Sequence, residues 1–426
     1  MSCVYWDPKS RTRMVWWGTF GSYYNEMTSP LPTISWGSPP RCRSLLALLA
    51  VVLAAEVVAR PQRTLGLEIL PRAEDQPAQA QPPQDSAASA DVLFPLRVAW
   101  SADLGEPVVA PPGVDASRAY VPLESGALAA VSLADGAVVW KTPHPTTSAP
   151  ASNGELVFAA GHGRIEALAA TTGVTRWHTP LDDEIAAPLV ERAGWLIVPL
   201  ASGEVLALRS SNGELVWRRA FGAVAAGQPA IDGDRLYLPL DDSRVIAAHI
   251  FSGDVLWTRK LDGPASGVLV YGGEIYVSST DNFFYHLDDR EGTVNWRWRT
   301  GADLVGRADA REARVVFVSL DTVLRAHDWL HGAQRWRTPL PWRPRSGPQI
   351  VGETVVMSGL VPEVRGYALD TGKEIGHLTF ASSDVEQLQG PVIAVQPTRP
   401  GGTRLVAVSA EGKVYGLAPE KPDAAK

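Results

Sequence analysis

The chain has 426 residues, 45% of them hydrophobic, and a formal charge of −7 at neutral pH. Five basic against three acidic residues in 1–59 leave residues 60–426 at −9, which argues against a nucleic-acid partner, since phosphate binding needs a cationic face. Both cysteines, Cys3 and Cys42, lie near the N-terminus, so residues 60–426 offer no thiol, disulfide or cysteine metal site.

Residues 1–40 are rich in Trp, Tyr, Ser and Pro without periodicity. They read as a disordered segment or as a start placed too far upstream, with Met14 and Met27 as later starts. In 41–59, Arg41 and Arg43 precede an apolar run from Ser44 to Ala55, and Val57-Val58-Ala59 offers a cleavage site. That layout reads as a signal peptide or, uncleaved, as a membrane anchor through residues 44–59. The run is shorter than the roughly 20 apolar residues of a spanning helix. Cys42 precedes it, where no lipid-anchor cysteine is expected. Residues 60–91, dominated from Pro71 on by Pro, Ala, Gln, Asp and Ser, form a flexible linker.

From residue 92 to 419 the chain repeats, most legibly in Ala207-Leu208-Arg209-Ser210-Ser211-Asn212-Gly213-Glu214-Leu215-Val216-Trp217. The Gly-to-Trp step recurs at Gly136/Trp140, Gly173/Trp177, Gly253/Trp257, Gly292/Trp296 and Gly332/Trp336, and the Ala at Ala130, Ala167, Ala247 and Ala326. From Trp140 on, the Trp residues are spaced 37, 40, 40, 39 and 40 apart, a period that signals a repeat architecture. Each unit reads as an apolar strand, a turn whose Gly supplies positive φ, and a strand ending in Trp. The ring should be buried between units, with its N–H on a backbone acceptor.

Eight hairpins follow one another, centred near 120–133, 156–169, 196–208, 236–248, 275–287, 315–326, 355–369 and 405–417. With the strand that follows each and a short one before it, the unit has four strands, as in a propeller blade. The eighth hairpin has no strand after it, while Leu96-Arg97-Val98-Ala99-Trp100 stands unassigned ahead of the first. Placing that strand on the last blade closes the ring and hides both edges. The expected fold is an all-β, eight-bladed propeller, with seven blades if one hairpin is miscounted, followed by a tail at 420–426. The seventh unit carries Gly376 where Trp is expected.

The Ala-Leu-x-x-x-x-Gly-x-x-x-Trp units, clearest at Leu208 to Trp217 and at Leu369-Asp370-Thr371-Gly372-Lys373, resemble the repeats of pyrroloquinoline-quinone (PQQ) propellers over residues 92–419. The resemblance implies the fold and leaves the activity open. That superfamily holds alcohol and glucose dehydrogenases with quinone and calcium in the central funnel. It also holds non-catalytic envelope proteins, including the propeller lipoprotein of the outer-membrane β-barrel assembly machinery. The methanol-type enzymes carry an adjacent cysteine pair and long insertions between blades, and this sequence has neither. No set of Glu, Asn and Asp maps onto a calcium site, so neither PQQ nor calcium is expected as a cofactor.

Residue by residue, little points to catalysis. Asp182-Asp183-Glu184 lacks the spaced oxygens and Gly of a calcium loop and reads as a solvated turn. His249, His286 and His327 stand four, six and five residues before their turn glycines, so they do not share one strand face and are not expected to bind metal. The basic residues beside the Trp positions, namely Arg218, Arg219, Arg259, Lys260, Arg297, Arg299, Arg335, Arg337, Arg343 and Arg345, suggest either edge charges that discourage strand pairing or a cationic arc for an acidic partner. Arg307, in a slot where Pro is usual, and Gln228 are expected at the central channel. The repeat Trp residues, counting Trp100, are structural. The sequence therefore reads as an exported, monomeric, non-catalytic scaffold binding envelope proteins, with a PQQ-dependent dehydrogenase or a channel-ligand sensor as alternatives.

Overall fold

The computed structural model describes residues 93–420 apart from 145, 162, 360, 382–384 and 398–400. The segments expected at 1–40 and 41–59, and the linker up to 91, lie outside the described residues, as does the tail beyond 420. Every sheet is four-stranded and antiparallel, and eight of them form a propeller. Blade 3 shows the plan: an inner strand Val190–Arg192, then Trp195–Pro199, Glu204–Arg209 and an outer strand Leu215–Ala220. Blades 1 to 8 occupy residues 113–143, 151–180, 190–220, 230–260, 265–299, 309–339, 349–379 and 393–419. The outer strand of blade 8 is Leu96–Asp103, which pairs antiparallel with Lys413–Pro419.

The core lies between blades. Each hydrophobic cluster joins two successive blades, and the last two couple blade 7 to blade 8 and blade 8 to blade 1, which closes the ring. A sheet this small cannot bury both faces alone, so each blade is stable only against its neighbours.

The repeat motif builds that seam. Trp217 Nε1 donates to Ile250 O at 2.7 Å in the next blade, and Trp140, Trp177, Trp257 and Trp336 make the same reach to Ala170, Ser210, Asp289 and Leu369. Trp100 and Trp296 donate likewise to Leu133 O and Leu330 O. The turn glycine meets two demands at once. Gly213 has φ +73°, and a Cβ there would stand 2.5 Å from Trp177 Cε3 of the preceding blade. The Ala of the motif sits directly across from its own Trp, as at Ala207 and Trp217, and is fully buried. In blade 5 that slot holds His286, and the surrounding seam becomes aromatic, with Tyr276 stacked on His286 at 4.9 Å and Phe284 on Phe317 at 4.0 Å.

Two details differ from the sequence reading. The outer strands run three residues past the Trp, because the ladder with the third strand continues to the blade's far end. The blade 7 seam, where Gly376 replaces Trp, is filled from the N-terminal segment. Phe94, buried, lies over Gly366 and Gly376, where a Cβ would collide with its ring. The segment 93–103 thus supplies both the missing strand of blade 8 and the missing aromatic of blade 7.

Candidate interaction rim and axial cavity

The outer strand of every blade is bulged at one residue. In blade 3, Leu208 pairs with Leu215 and Ala207 with Trp217, so Val216 is extra and is turned outward. The same step expels Val139, Arg176, Leu256, Asn295, Arg335 and Ile375 in blades 1, 2, 4, 5, 6 and 7, and Ala99 in blade 8. The bulge therefore adds one outward side chain to the rim in each blade. In blades 1, 3 and 4 it is apolar and joined by its exposed strand neighbour, giving Val138 with Val139, Leu215 with Val216, and Val255 with Leu256. Phe251, 55% exposed, adds to the blade 3–4 sector, edge-on to Trp195 at 5.4 Å. Contiguous exposed apolar groups of this kind are a recognised mark of contact surfaces. Sequence reasoning missed them by looking at the residues after each Trp; the apolar residue just before Trp140, Trp217 and Trp257 was the available signal.

The basic residues divide between the two faces of their strands, because alternate side chains point opposite ways. Arg219 and Arg259, two residues after their Trp, turn to the next blade. Arg219 Nε donates to Ser252 O at 3.1 Å with Asp254 at 3.0 Å, and Arg259 Nε donates to Gly292 O at 2.5 Å. Thr179 and Thr338 make the equivalent latch to Gly213 O and Gly372 O. On the opposite face Arg218 is held between Glu204 at 2.5 Å and Asp182 at 2.9 Å, which raise its pKa. Lys260 donates to Asp242 O, Arg297 lies over Phe283 at 4.5 Å, and Arg335 pairs with Asp328 at 2.6 Å. Of these basic residues, Arg299, Arg337 and Arg343 have no ion pair among the described residues, and they lie on blades 5 and 6 and the linker beyond.

Asp182 and Asp183 are engaged locally. Arg218 lowers the Asp182 pKa, and Ser202, whose amide donates to Asp183 at 2.7 Å, lowers that of Asp183. The three histidines are distributed as follows. His249 faces Phe251, His286 Nε2 is 2.8 Å from Glu274, and His327 is packed against Trp298 at 4.5 Å. Burial, reinforced by Arg325, holds His327 at about 4, so it is neutral at pH 7. Among the described residues no group of three His, Cys, Asp or Glu is placed to hold a metal.

On the ring axis, a cavity of about 330 Å³ is lined by Gln228, Ser266, Arg307, Arg345, Ser346 and Gln349, together with Pro and Gly backbone. Arg307 and Gln228 thus share one wall, with Arg345 beside them. Gln228 Nε2 donates to Leu189 O at 2.9 Å, and Gln349 Oε1 accepts from the Ala394 amide at 3.2 Å. This donor set does not fit a calcium-held quinone, which needs carboxylate ligands; none lines the cavity.

Eight bulged blades, seven of them latched by a Trp, around a polar axis define an eight-bladed propeller of PQQ-like repeats. The family model described as outer membrane protein assembly factor BamB matches residues 97–297 and 265–420. The chain belongs to that family. Among solved structures, BamB from Moraxella catarrhalis is 19% identical with a TM-score of 0.64, covering 76% of this chain and 99% of that one. Sqt1 from Saccharomyces cerevisiae is 12% identical at 0.66, with 76% and 99% covered. A quinohemoprotein alcohol dehydrogenase from Pseudomonas putida HK5 is 14% identical at 0.61, with 78% of each chain covered. These likenesses concern the fold. A search of curated proteins found no match.

Proposed function

We propose that this propeller is an exported, non-catalytic scaffold of the cell envelope that holds partner proteins during outer-membrane protein assembly. Membership of a family described by an assembly factor carries the reading. The rim supports it: the bulged apolar pairs of blades 3 and 4 adjoin unpartnered cations on blades 5 and 6. A partner presenting apolar side chains beside carboxylates fits this sector, as interfaces commonly place apolar contacts at the centre and charges at the edge. The test is affinity purification of the tagged chain from gently solubilised envelopes. A co-purifying outer-membrane barrel or assembly component, lost in Leu256→Asp and weakened in Arg299→Glu, is the expected result; an undiminished or absent partner would contradict it.

A quinoprotein dehydrogenase is the second reading, motivated by the fold shared with the Pseudomonas enzyme. The axial wall disfavours it, since it offers guanidinium and carboxamide groups where calcium needs carboxylates. Dye reduction by the purified chain after addition of PQQ and calcium would reverse that judgement.

A further inference from the structure

We infer that the axial cavity at the entries of blades 4 to 8 is a binding site for a small dianion carrying phosphate or carboxylate groups. Arg307 and Arg345 both line one recess of about 330 Å³, a size suited to a small molecule. Neither has an ion-pair or hydrogen-bond partner among the described residues, and no Asp or Glu lines the recess. On a body of net negative charge, two cationic residues on the lining of one recess without a carboxylate make it locally favourable to an anion.

The remaining groups are donors of the right kind. Gln349 uses its carbonyl oxygen on the Ala394 amide, which leaves its NH₂ to give. The Ser346 hydroxyl lines the same wall, and no carbonyl within the described residues accepts from the amides of Arg307, Ser346 or Gly347. The wall is also built to bring backbone close. Gly267 and Gly347 flank Arg307 in the neighbouring blades, and a Cβ on Gly267 would stand 2.5 Å from Arg307 Cα. These two glycines let the neighbouring backbone pack directly on that of Arg307, and an Arg side chain approaches phosphate or carboxylate through paired N–H groups.

Arg345 lies on the segment joining blade 6 to blade 7, and it also lines a second recess with Ser358, Gln389 and Pro391. The site is therefore shared by the linkers on either side of blade 6. Its occupancy does not depend on rim docking, and its failure would leave the scaffold reading untouched.

The experiment is calorimetric titration of the full chain with inorganic pyrophosphate and, separately, with succinate, ionic strength being balanced with sodium chloride. Saturable binding of one equivalent is expected for at least one of them, and which one binds identifies phosphate or carboxylate as the recognised group. Arg307→Ala and Arg345→Ala should each weaken it by at least about tenfold, the loss of a charge-assisted pair, while Arg299→Ala on the rim leaves it unchanged. Both side chains are exposed and without partners, so the variants should keep the wild-type melting temperature. Absence of saturable binding for both probes, or binding undiminished in both variants, would overturn the assignment.

Discussion

The seam between blades turns on a few residues whose roles cannot be exchanged. Gly213 combines a left-handed backbone with the contact of Trp177, so Gly213→Ala both strains φ and displaces the indole. It should destabilise by about 1–3 kcal/mol in urea unfolding, the usual cost of overpacking, whereas Glu214→Ala on the same exposed turn should cost little. His327 makes stability depend on acid. Unfolded, it titrates near 6.5; folded, burial holds it at about 4. The unfolded state therefore takes up the proton first, and stability present above about pH 6.5 is lost as pH falls toward 4. The wild type should lose about 3 kcal/mol more than His327→Phe over that window. Equal losses in urea titrations at pH 7 and 4 would refute this. The axial Arg307 was legible from its anomalous slot, but its neighbour Arg345 was not, because it reaches the axis from a linker with no repeat to count against.

At the scale of the strand, the bulge decides which residues meet solvent. The Gly-to-Trp spacing made hairpins, blade number and closing strand readable, since each is a local pattern repeated every forty residues or so. The division of Arg218 and Arg219 onto opposite faces was not readable as function. Both are basic neighbours in sequence, and only the inter-blade geometry shows that Arg219 is consumed as a latch on Ser252 and Asp254. Equally hidden was Phe94, whose site is formed by Gly366 and Gly376, more than 270 residues away. Phe94→Ala should cost about 3–5 kcal/mol, as for other buried aromatics, and it should loosen blade 7 first. Hydrogen exchange would then show lost protection in residues 363–379 ahead of residues 204–220. Uniform loss, or none, would argue against Phe94 standing in for the missing Trp.

For the whole molecule, closure rests on one strand drawn from the start of the propeller. Its residues 96–103 pair with 413–419, and Trp100 reaches both Leu133 O and Thr403 Oγ1, tying blade 8 to blade 1. A chain beginning at residue 104 would expose the edge of blade 8 and empty the blade 7 seam together. It should melt with lower cooperativity than the full-length protein and be cleaved first within 393–419. The closed disc leaves an apolar rim sector on blades 3 and 4, and partner docking there is the central claim. It is tested most directly by placing a photo-crosslinking residue at Leu215 or Leu256 in living cells, with Ile375 on the far blade 7 as the comparison. Adducts to a discrete envelope protein from Leu215 and Leu256, and none to that protein from Ile375, are predicted. Adducts of equal yield from all three positions, or no adduct from any, would contradict the account.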